Sequence, residues 1–262
     1  MPRPAVSVTI ITLNEEKNLP RAIASAQWAD EVLVIDSGSS DRSVEVAKEM
    51  GARVLYNAWK GYGQQKNFAQ DKALYDWVLN IDADEEISPE LRDEITAALT
   101  AVSEGKLKTK GFQIPRKTFY LGRWIKHGGW YPNYLVRLVD RQAARWSEPC
   151  VHEELKVDGE VLYFQEPLHH YTFSSIHDQI VTNLNFSKLG YMDLKSRGQR
   201  GSMLKLLLKP IGKLIETYFL KAGFLDGLPG FIISTNAAHS MFLKYAYLLE
   251  SEIKDGNSDN RQ

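Results

Sequence analysis

The stretch WVLNIDADEE, residues 77–86, is a short, mostly apolar run that ends in four carboxylates within five residues. Its bulky apolar residues predict a buried β-strand. Such a strand would deliver Asp82 and Asp84 at its carboxyl end, which is where ligands bind in an open α/β sheet. Two aspartates this close can share one divalent cation, directly or through water and ribose hydroxyls, while the cation bridges phosphates. The alternative is a solvated acidic turn before a helix that Ser88 caps and Pro89 begins.

Three further strand-like runs precede this stretch and alternate with helical patterns. They are Val6 to Leu13, Glu31 to Asp36 and Ala52 to Tyr56. This alternation predicts a parallel sheet with helices on both faces, joined by right-handed crossovers. Because the carboxyl ends of parallel strands share one edge, polar residues from three strands should converge there. These residues are Thr12, Asn14, Glu15, Asp36, Ser37, Asp82 and Asp84.

Composition excludes several classes of protein. Of the 262 residues, 44% are hydrophobic and 25% are charged, which is typical of a globular protein with one large domain or one domain and an appendage. With a formal net charge of −1, the chain has no overall positive charge that would attract nucleic acid. The single Cys150 excludes an internal disulfide framework and fits a reducing compartment. Apolar runs are too short for a signal peptide or a classical spanning helix, so a cytoplasmic location is expected.

The phosphate-binding glycine motifs of two other nucleotide-binding classes are absent. No Gly-x-Gly-x-x-Gly follows the first strand, and no Gly-Lys-Ser/Thr of a P-loop occurs. The sequence therefore supports neither a dinucleotide site nor a P-loop.

Three ordered motifs, VTIITLNEEKNL, VLVIDSGSSDRS and WVLNIDADEE, resemble those of the family 2 glycosyltransferases with the GT-A fold. The resemblance covers residues 6 to about 155. Smaller details, GYGQQKNFA, VRLVDR and VHEEL, resemble the branch of lipopolysaccharide core β-1,4-glucosyltransferases. The resemblance implies a Rossmann-like, mostly parallel open sheet with helices on both faces. It also implies an inverting enzyme that uses a UDP-sugar, with glucose as the expected hexose, and a divalent metal, Mn²⁺ or Mg²⁺.

The resemblance also implies roles for the residues at the sheet edge. Asp36 is expected near the uracil, Asp82 near the ribose and Asp84 on the metal. The full set expected to bind the nucleotide sugar is Thr12, Asn14, Glu15, Asp36, Lys66 and Asp82.

An inverting transferase needs one base to take the proton of the acceptor hydroxyl, because the metal-bound nucleoside diphosphate leaves without a protonating acid. A glycosidase would instead need two catalytic carboxyl groups. In the segment PCVHEEL, Glu153 stands where the family pattern places its acidic residue, and Glu154 is the substitute. The alternative is that both are surface glutamates. His152 is expected to support the base or to contact a phosphate on the acceptor side.

Aromatic and basic residues interleave with strand-like runs between Gly111 and Asp140. Aromatic faces stack on the C–H groups of sugars, and charged side chains hydrogen-bond hydroxyls or phosphates. Trp124, Tyr131 and Arg137 are therefore predicted to bind the acceptor. An ordinary hairpin core would explain the aromatic residues equally well.

Two adjacent histidines, His169 and His170, follow Pro167. Imidazole is an acceptable ligand for Mn²⁺ and a donor to a diphosphate. His170 is the preferred second metal ligand beside Asp84, and His169 is the substitute. A buried histidine that hydrogen-bonds the backbone is the ordinary alternative.

The carboxyl-terminal part of the chain is basic and helical in pattern. Residues 188–221 contain eight Lys or Arg and two acidic residues, a local charge of +6. Lys205, Lys209 and Lys213 recur every four residues opposite an apolar face, which predicts an amphipathic helix in a membrane interface. The alternatives are a helix packed on the catalytic domain and helices that join copies of the chain.

The predicted organisation has three parts. Residues 1–175 form a GT-A catalytic domain, with a nucleotide-sugar half at about 1–105 and an acceptor half at about 106–175. Residues 176–250 form a helical region that faces a membrane through residues 200–250, and residues 251–262 form a disordered tail.

The expected function is transfer of a hexose to a lipopolysaccharide core or a similar lipid-linked acceptor. The enzyme would be peripheral on the cytoplasmic face of a bacterial inner membrane. A sugar nucleotidyltransferase would also use aspartates and metal, but it would usually carry a glycine-rich amino-terminal phosphate loop, which is absent here. A non-catalytic sugar-binding protein on a transferase fold is the third alternative.

Overall fold

The computed structural model describes residues 3–147 and 154–259. The chain divides into two compact units, each built from two stretches. The first comprises Met1–Lys117 and Pro132–Tyr171, and the second comprises Thr118–Tyr131 and Thr172–Gln262. The hairpin within residues 118–131 is thus grouped with the carboxyl-terminal helices, whereas the sequence placed it in the acceptor half of the catalytic domain.

Strands and helices alternate through the first hundred residues, and the later strands are shorter. The strands are β1 (Val6–Thr12), β2 (Glu31–Asp36), β3 (Arg53–Tyr56), β4 (Trp77–Asp82), β5 (Glu85–Ile87), β6 (Gly111–Tyr120), β7 (Arg123–Trp124), β8 (Asn133–Asp140), β9 (Ala144–Trp146), β10 (Leu155–Val157), β11 (Val161–Tyr163) and β12 (Leu168–His170). The α-helices are α1 (Leu19–Ala26), α2 (Ser43–Glu49), α3 (Tyr62–Lys72), α4 (Pro89–Ser103), α5 (Ile176–Ser196), α6 (Met203–Leu214) and α7 (Gly227–Asp259). A π-helical turn, Ile215–Leu220, and a 3₁₀ turn, Gly223–Asp226, connect α6 to α7.

The main sheet has the strand order β3-β2-β1-β4-β8-β6-β12-β5. The neighbours among β3, β2, β1 and β4 are parallel, which confirms the parallel sheet predicted from the amino-terminal pattern. The pairs β4-β8, β8-β6 and β5-β12 are antiparallel. The GT-A fold class is therefore confirmed, and the sheet is mixed beyond its four amino-terminal strands.

Alternate residues of the parallel strands pack against helices on opposite faces of the sheet. On β2, Val34 belongs to the core that α1, α2 and α4 form. Leu33 and Ile35 point the other way and pack with Ala69 of α3. This two-residue period is that of a strand buried on both faces, and it confirms the helices predicted on both sides.

The stretch that predicts the fold forms β4 and the elements after it. All residues of β4 before Asp82 are buried. The side chain of Ser88 accepts a hydrogen bond from the N–H of Leu91 at 3.1 Å, and Pro89 is the first residue of α4, as predicted. The acidic turn is thus held between a buried strand and a capped helix.

The second unit is mostly helical. One of its cores joins Tyr120 and Ile125 of the hairpin to Ile233 of α7. Another joins α5 to α7 through Leu194 and Leu248. Within residues 3–147 and 154–259, no helix has the length and apolar character needed to cross a membrane.

The long helix α7 departs from the sequence-based expectation at its carboxyl end. It begins at Gly227 and continues through Pro229 without a break. Pro229 is tolerated because it lies in the first turn, where a backbone N–H would have no helical partner. At the other end α7 reaches Asp259, so residues 251–259, which were expected within a disordered tail, are helical.

Candidate active site

The carboxyl ends of β1, β2 and β4 meet at one edge of the sheet, as predicted. Thr12 is in register with Asp36 of β2, and Ile11 is in register with Asp82 of β4. Thr12 is buried, and its hydroxyl oxygen has no hydrogen-bond partner among the described residues. Sheet register alone therefore brings three of the residues predicted to bind the nucleotide sugar together.

The loops after β1 and β2 are joined by polar groups. Asn14 has a φ of 57°, a left-handed conformation that asparagine tolerates better than most residues. Its N–H donates to Ser39 Oγ at 2.9 Å, and its side-chain oxygen accepts from the N–H of Ser40 at 2.8 Å. The N–H of Glu15 donates to Ser43 Oγ at 2.8 Å. These bonds fix the loop, and contact of Asn14 or Glu15 with a nucleotide sugar stays a prediction.

Asp36 shapes the turn that follows β2. It is buried, and its carboxylate accepts hydrogen bonds from the N–H of Gly38 at 2.9 Å and from that of Ser39 at 3.1 Å. Gly38 has a φ of 105°, which favours glycine at this position. The predicted contact of Asp36 with uracil stays a prediction.

Asp82 is held between two cations. Lys66 Nζ lies 3.1 Å from its Oδ1, and a guanidinium nitrogen of Arg137 donates to its Oδ2 at 2.8 Å. Burial alone would raise the pKa of Asp82, but the charges of Arg137 and Lys66 outweigh it and hold the pKa far below its usual range. Asp82 is therefore ionised and oriented at neutral pH, with 28% of its side chain exposed.

Glu85 belongs to the same network, although it is not among the site residues predicted from the sequence. It is fully buried, accepts a hydrogen bond from Arg137 at 2.6 Å and accepts another from the N–H of Asp82 at 2.9 Å. Arg116 lies 3.6 Å away. Burial raises the pKa of Glu85 despite the opposing charge of Arg137. The feature of the sequence that could have pointed to Glu85 is its membership of a group of four acidic residues directly after an apolar run.

Arg137 was predicted to bind the acceptor, but its contacts are with these two carboxylates. It is 3% exposed, and one guanidinium nitrogen reaches both Asp82 and Glu85. Burial acts to lower the pKa of Arg137, but the carboxylates raise it above its usual range. Its Nε and Nη1 have no partner among the described residues. These contacts hold Asp82 in place, and contact of Arg137 with an acceptor stays a prediction.

Strand β12 brings the two histidines to the acidic turn. It runs antiparallel to β5, with His170 opposite Glu85 and His169 opposite Glu86. His170 Nε2 lies 3.2 Å from Asp84 Oδ2. Because successive residues of a strand point to opposite faces, His169 instead lies 3.9 Å from Glu86. The structure thus brings the two predicted metal ligands together and separates His169 from them.

Tyr171 ties β12 to the loop that carries Asp84. Its N–H donates to the carbonyl oxygen of Asp84 at 2.9 Å, and its hydroxyl donates to Glu86 at 2.7 Å. The guanidinium of Arg21 lies 3.6 Å from the centre of its ring. Burial and the hydrogen bond to Glu86 raise the pKa of Tyr171 to about 12, so its hydroxyl keeps its proton at neutral pH.

Glu15 adds a further carboxyl group near Asp84. Burial raises the pKa of Glu15, and the negative charges of Asp84 and Asp41 add to this effect, against a hydrogen bond from Asn18. The loop after β1 is therefore close enough to the acidic turn for their charges to interact.

The pair formed by Asp84 and His170 suits a divalent cation. A carboxylate oxygen and an imidazole nitrogen are both acceptable ligands for Mn²⁺, and their 3.2 Å separation brings both donors to one point. Among the described residues, no group of three or more His, Cys, Asp or Glu side chains could hold a metal ion alone. A cation at this pair would therefore take further ligands such as water or phosphate oxygens.

The predicted catalytic base lies at the limit of the described chain. Glu153 and His152 belong to residues 148–153, which lie outside the described residues. Glu154 is exposed, and its N–H donates to Ser147 Oγ at 2.9 Å. The N–H of Ser147 donates in turn to the carbonyl oxygen of Glu154 at 2.8 Å. These bonds join Ser147 to Glu154, the two described residues on either side of that segment.

That segment starts beside the cation that binds Asp82. Trp146, at the end of β9, is buried, and Lys66 Nζ lies 4.7 Å from the centre of its ring. Asn67 makes two hydrogen bonds of 3.0 Å with the backbone of Trp146. Since Lys66 also contacts Asp82, the end of β9 lies beside the ion network at the end of β4.

The remaining predicted acceptor residues, Trp124 and Tyr131, belong to the second unit. Trp124 packs edge-on against Phe119, with ring centres 5.2 Å apart. Contact of Trp124 or Tyr131 with an acceptor stays a prediction.

Comparison with known proteins identifies the family. The model of Glycosyl transferase family 2 matches residues 7–101, the range that contains all three ordered motifs. An uncharacterized glycosyltransferase of Rickettsia typhi is 33% identical over 269 residues, covering 97% of this chain and 91% of the relative. The chain belongs to glycosyl transferase family 2. As a family 2 protein it is a glycosyltransferase, which confirms the resemblance seen in the sequence.

Two other similar proteins carry more specific names. The lipopolysaccharide core biosynthesis glycosyltransferase LpsC of Rhizobium meliloti is 28% identical over 257 residues, covering 95% of this chain and 94% of LpsC. A crystal structure of glucosyl-3-phosphoglycerate synthase from Mycobacterium tuberculosis, with Mn²⁺, UDP and glucosyl-3-phosphoglycerate, is 26% identical with a TM-score of 0.35. That match covers 45% of each chain, less than half of the solved protein.

Proposed function

We propose that this family 2 enzyme is an inverting transferase that moves a hexose, with glucose as the first candidate, from a UDP-sugar to a lipopolysaccharide core or similar lipid-linked acceptor. The observation that carries the proposal is the juxtaposition of Asp82 and Asp84 at the end of β4. Asp82 is ionised between two buried cations, and Asp84 lies 3.2 Å from His170. One carboxylate is thus fixed, and the other is paired with a second metal-binding group.

The donor would lie along the edge formed by β1, β2 and β4. Thr12 and Asp36 are in register there, and we assign them to the side of the base and ribose. Asp82 would accept a hydrogen bond from a ribose hydroxyl, because its orientation is fixed by Lys66 and Arg137. Because these polar groups are already held in place, they lose little conformational entropy when a nucleotide binds.

Asp84 and His170 would hold the divalent cation, Mn²⁺ or Mg²⁺. When bound, such a cation neutralises charge on the diphosphate leaving group. The protein contributes the fixed position of the two ligands. Tyr171 supports this position by hydrogen-bonding both the backbone of Asp84 and the side chain of Glu86.

Glu153, with Glu154 as the substitute, would take the proton from the acceptor hydroxyl. A single base is sufficient for inversion, because the hydroxyl attacks the anomeric carbon on the face opposite the leaving diphosphate. The hydrogen bonds between Ser147 and Glu154 support this assignment, since they return the chain to the end of β9 beside Lys66.

The acceptor class rests on the similarity to LpsC, whose name places that protein in lipopolysaccharide core biosynthesis. An enzyme that builds such a core would act at the cytoplasmic face of the inner membrane, where a lipid-linked acceptor and a soluble nucleotide sugar meet. Peripheral attachment to that membrane is part of the proposal.

The test is a donor panel with the purified full chain. UDP-glucose, UDP-galactose, UDP-N-acetylglucosamine and GDP-mannose are each supplied with truncated lipopolysaccharide core, in Mn²⁺, Mg²⁺ or chelator. We expect metal-dependent sugar transfer from one UDP-sugar. In a separate reaction with UTP and glucose 1-phosphate, formation of UDP-glucose with release of diphosphate would instead indicate a nucleotidyltransferase. Sugar binding without turnover of any donor would indicate a non-catalytic protein.

A matched pair of variants tests the metal site. Asp84→Asn should abolish metal-dependent transfer, because it removes a charged ligand. Asp93→Asn, which neutralises an exposed carboxylate of α4 paired with Arg92, should leave transfer unchanged. Native activity of Asp84→Asn in Mn²⁺ would show that the metal assignment is wrong.

A further inference from the structure

The second unit carries an apolar helical surface that is exposed. Leu204, Leu207, Leu208, Ile211, Ile215 and Phe219 are each 45–67% exposed, and we call them the α6 apolar face. The leucines and isoleucines recur at intervals of three and four residues, so they form one stripe along the helix. No residue of α6 is buried.

The stripe is exposed because α6 is attached by a different side. Leu206 packs against the core that contains Leu194 of α5 and Leu248 of α7. Leu206 lies two residues from Leu204 and Leu208, which places it on roughly the opposite side of the helix from the centre of the stripe. An apolar stripe this long on a soluble surface marks an interaction site.

Basic residues lie beside the stripe. Lys205 directly follows Leu204, and Lys209 directly follows Leu208. Within the part of the chain that the structure describes, neither lysine has a carboxylate within ion-pair distance. Lys213 pairs with Glu216 at 3.0 Å. The sequence of α6 contains no Asp or Glu, so the lysines next to the stripe are not neutralised by the helix itself.

These charges favour an anionic bilayer over a second copy of the chain. A two-fold interface through α6 would bring the lysine row of one copy close to that of the other, with no acidic residue on the helix to balance them. An anionic lipid surface offers both an apolar layer for the stripe and negative headgroups for the lysines.

We propose that the α6 apolar face inserts into the boundary between headgroups and acyl chains of an anionic membrane. The helix lies parallel to the surface, and Lys205 and Lys209 contact the headgroups. The inference rests on the peripheral attachment included in the proposed function and names its surface. It does not depend on the proposed donor or base, because lipid binding needs no substrate.

The experiment is co-sedimentation of the full chain with vesicles. Phosphatidylcholine vesicles with and without phosphatidylglycerol are compared at low and high salt. We expect the chain to bind both kinds of vesicle and to bind the anionic ones more tightly. This difference in affinity should disappear at high salt, because salt screens the charges of the lysines.

Two matched pairs of variants separate the apolar and electrostatic parts. Leu207→Gln should weaken binding at least about tenfold on both vesicles and at both salts. Leu74→Gln, at an exposed leucine of the first unit, should not. Lys205→Gln with Lys209→Gln should weaken binding to anionic vesicles by about 25-fold at low salt, roughly fivefold per lysine. Lys48→Gln with Lys108→Gln removes the same charge from exposed sites elsewhere and should have little effect.

Three results would overturn the proposal. The first is no binding of the native chain to either vesicle. The second is equal binding of Leu207→Gln and Leu74→Gln. The third is concentration-dependent dimerisation that Leu207→Gln abolishes, without vesicle binding, which would assign the face to a second copy of the chain.

Discussion

Arg137→Met should destabilise the first unit strongly, because it leaves the buried carboxylate of Glu85 without its main cation. Arg137 is 3% exposed, Glu85 is fully buried, and their charged atoms lie 2.6 Å apart. Removal of one partner of a buried ion pair costs about 3–5 kcal/mol. This is a large part of the roughly 5–15 kcal/mol that separates a typical folded domain from its unfolded state.

The remaining contacts decide how that cost is distributed. Asp82 keeps Lys66 at 3.1 Å, so its charge stays compensated. Glu85 keeps only Arg116 at 3.6 Å as a cation within ion-pair distance among the described residues. The loss of stability should therefore come mainly from Glu85.

The pH dependence follows from the direction of the pKa of Glu85. Its folded pKa lies above the ordinary value of 4.5, and loss of Arg137 should raise it further. The folded state then binds a proton that the unfolded state releases, so stability falls as pH rises above 4.5. The deficit of Arg137→Met should be small below that pH and should grow as pH rises, until pH exceeds the folded pKa of Glu85; above it the folded state has also released the proton, and the deficit levels off.

The assay is urea unfolding of the full chain from acidic to neutral pH, arranged as a double-mutant cycle. Glu85→Gln keeps the shape of the side chain without its charge, so combining it with Arg137→Met should restore about 1–3 kcal/mol relative to the sum of the single changes. Arg92→Met removes an arginine from an exposed pair and should cost no more than about 1 kcal/mol. The reasoning fails if Arg137→Met costs no more than Arg92→Met, or if the two changes at Arg137 and Glu85 are additive.

Three predictions concern the chemistry of the site. Glu153→Gln should lower kcat about a hundredfold to ten-thousandfold while donor binding is retained, and Glu154→Gln should keep the native rate; the reverse pattern in steady-state kinetics would exchange their roles, and two active variants would place the base elsewhere. His170→Gln should raise the Mn²⁺ concentration needed for half-maximal activity and His169→Gln should not; equal shifts in a metal titration would contradict the geometry at β12. Asp36→Ala should weaken UDP binding in calorimetry, and unchanged affinity would remove Asp36 from the site.

The sheet edge could be predicted from sequence because each of its parts is local. The apolar run of β4, the aspartates after it and the cap at Ser88 all lie within twelve residues. The alternation of strands and helices then requires the ends of β1, β2 and β4 to meet. Sheet register confirms this for Thr12, Asp36 and Asp82.

The buried ion network could not be predicted in the same way. Arg137 and Glu85 are 52 positions apart, and they meet only because β8 runs antiparallel beside β4. The sequence shows basic residues among aromatic ones near Arg137, and this pattern also fits a surface that binds sugars. Which histidine meets Asp84 depends likewise on the register of β12 against β5, since a shift of one residue would exchange His169 and His170.

The amphipathic pattern of α6 could be read from sequence, but the side of the helix that is buried could not. Leu206 and Leu207 are adjacent and chemically identical, yet Leu206 packs into a core and Leu207 is 58% exposed. The difference arises from the position of α7, which contacts only one side of α6. Helical periodicity describes a single helix, whereas burial depends on its neighbours.

The four carboxylates of the acidic stretch have different partners, and this difference explains how a site for one cation can form there. Asp82 is neutralised by two buried cations, Glu85 is buried against one of them, and Glu86 accepts a hydrogen bond from a tyrosine hydroxyl. Asp84 is paired with His170, a group that can itself bind metal. A cation that approaches the turn would therefore meet a second metal-binding group at Asp84, but fixed positive charges at Asp82. Asp84 is thus the position at which the stretch can bind a metal ion with the least electrostatic opposition.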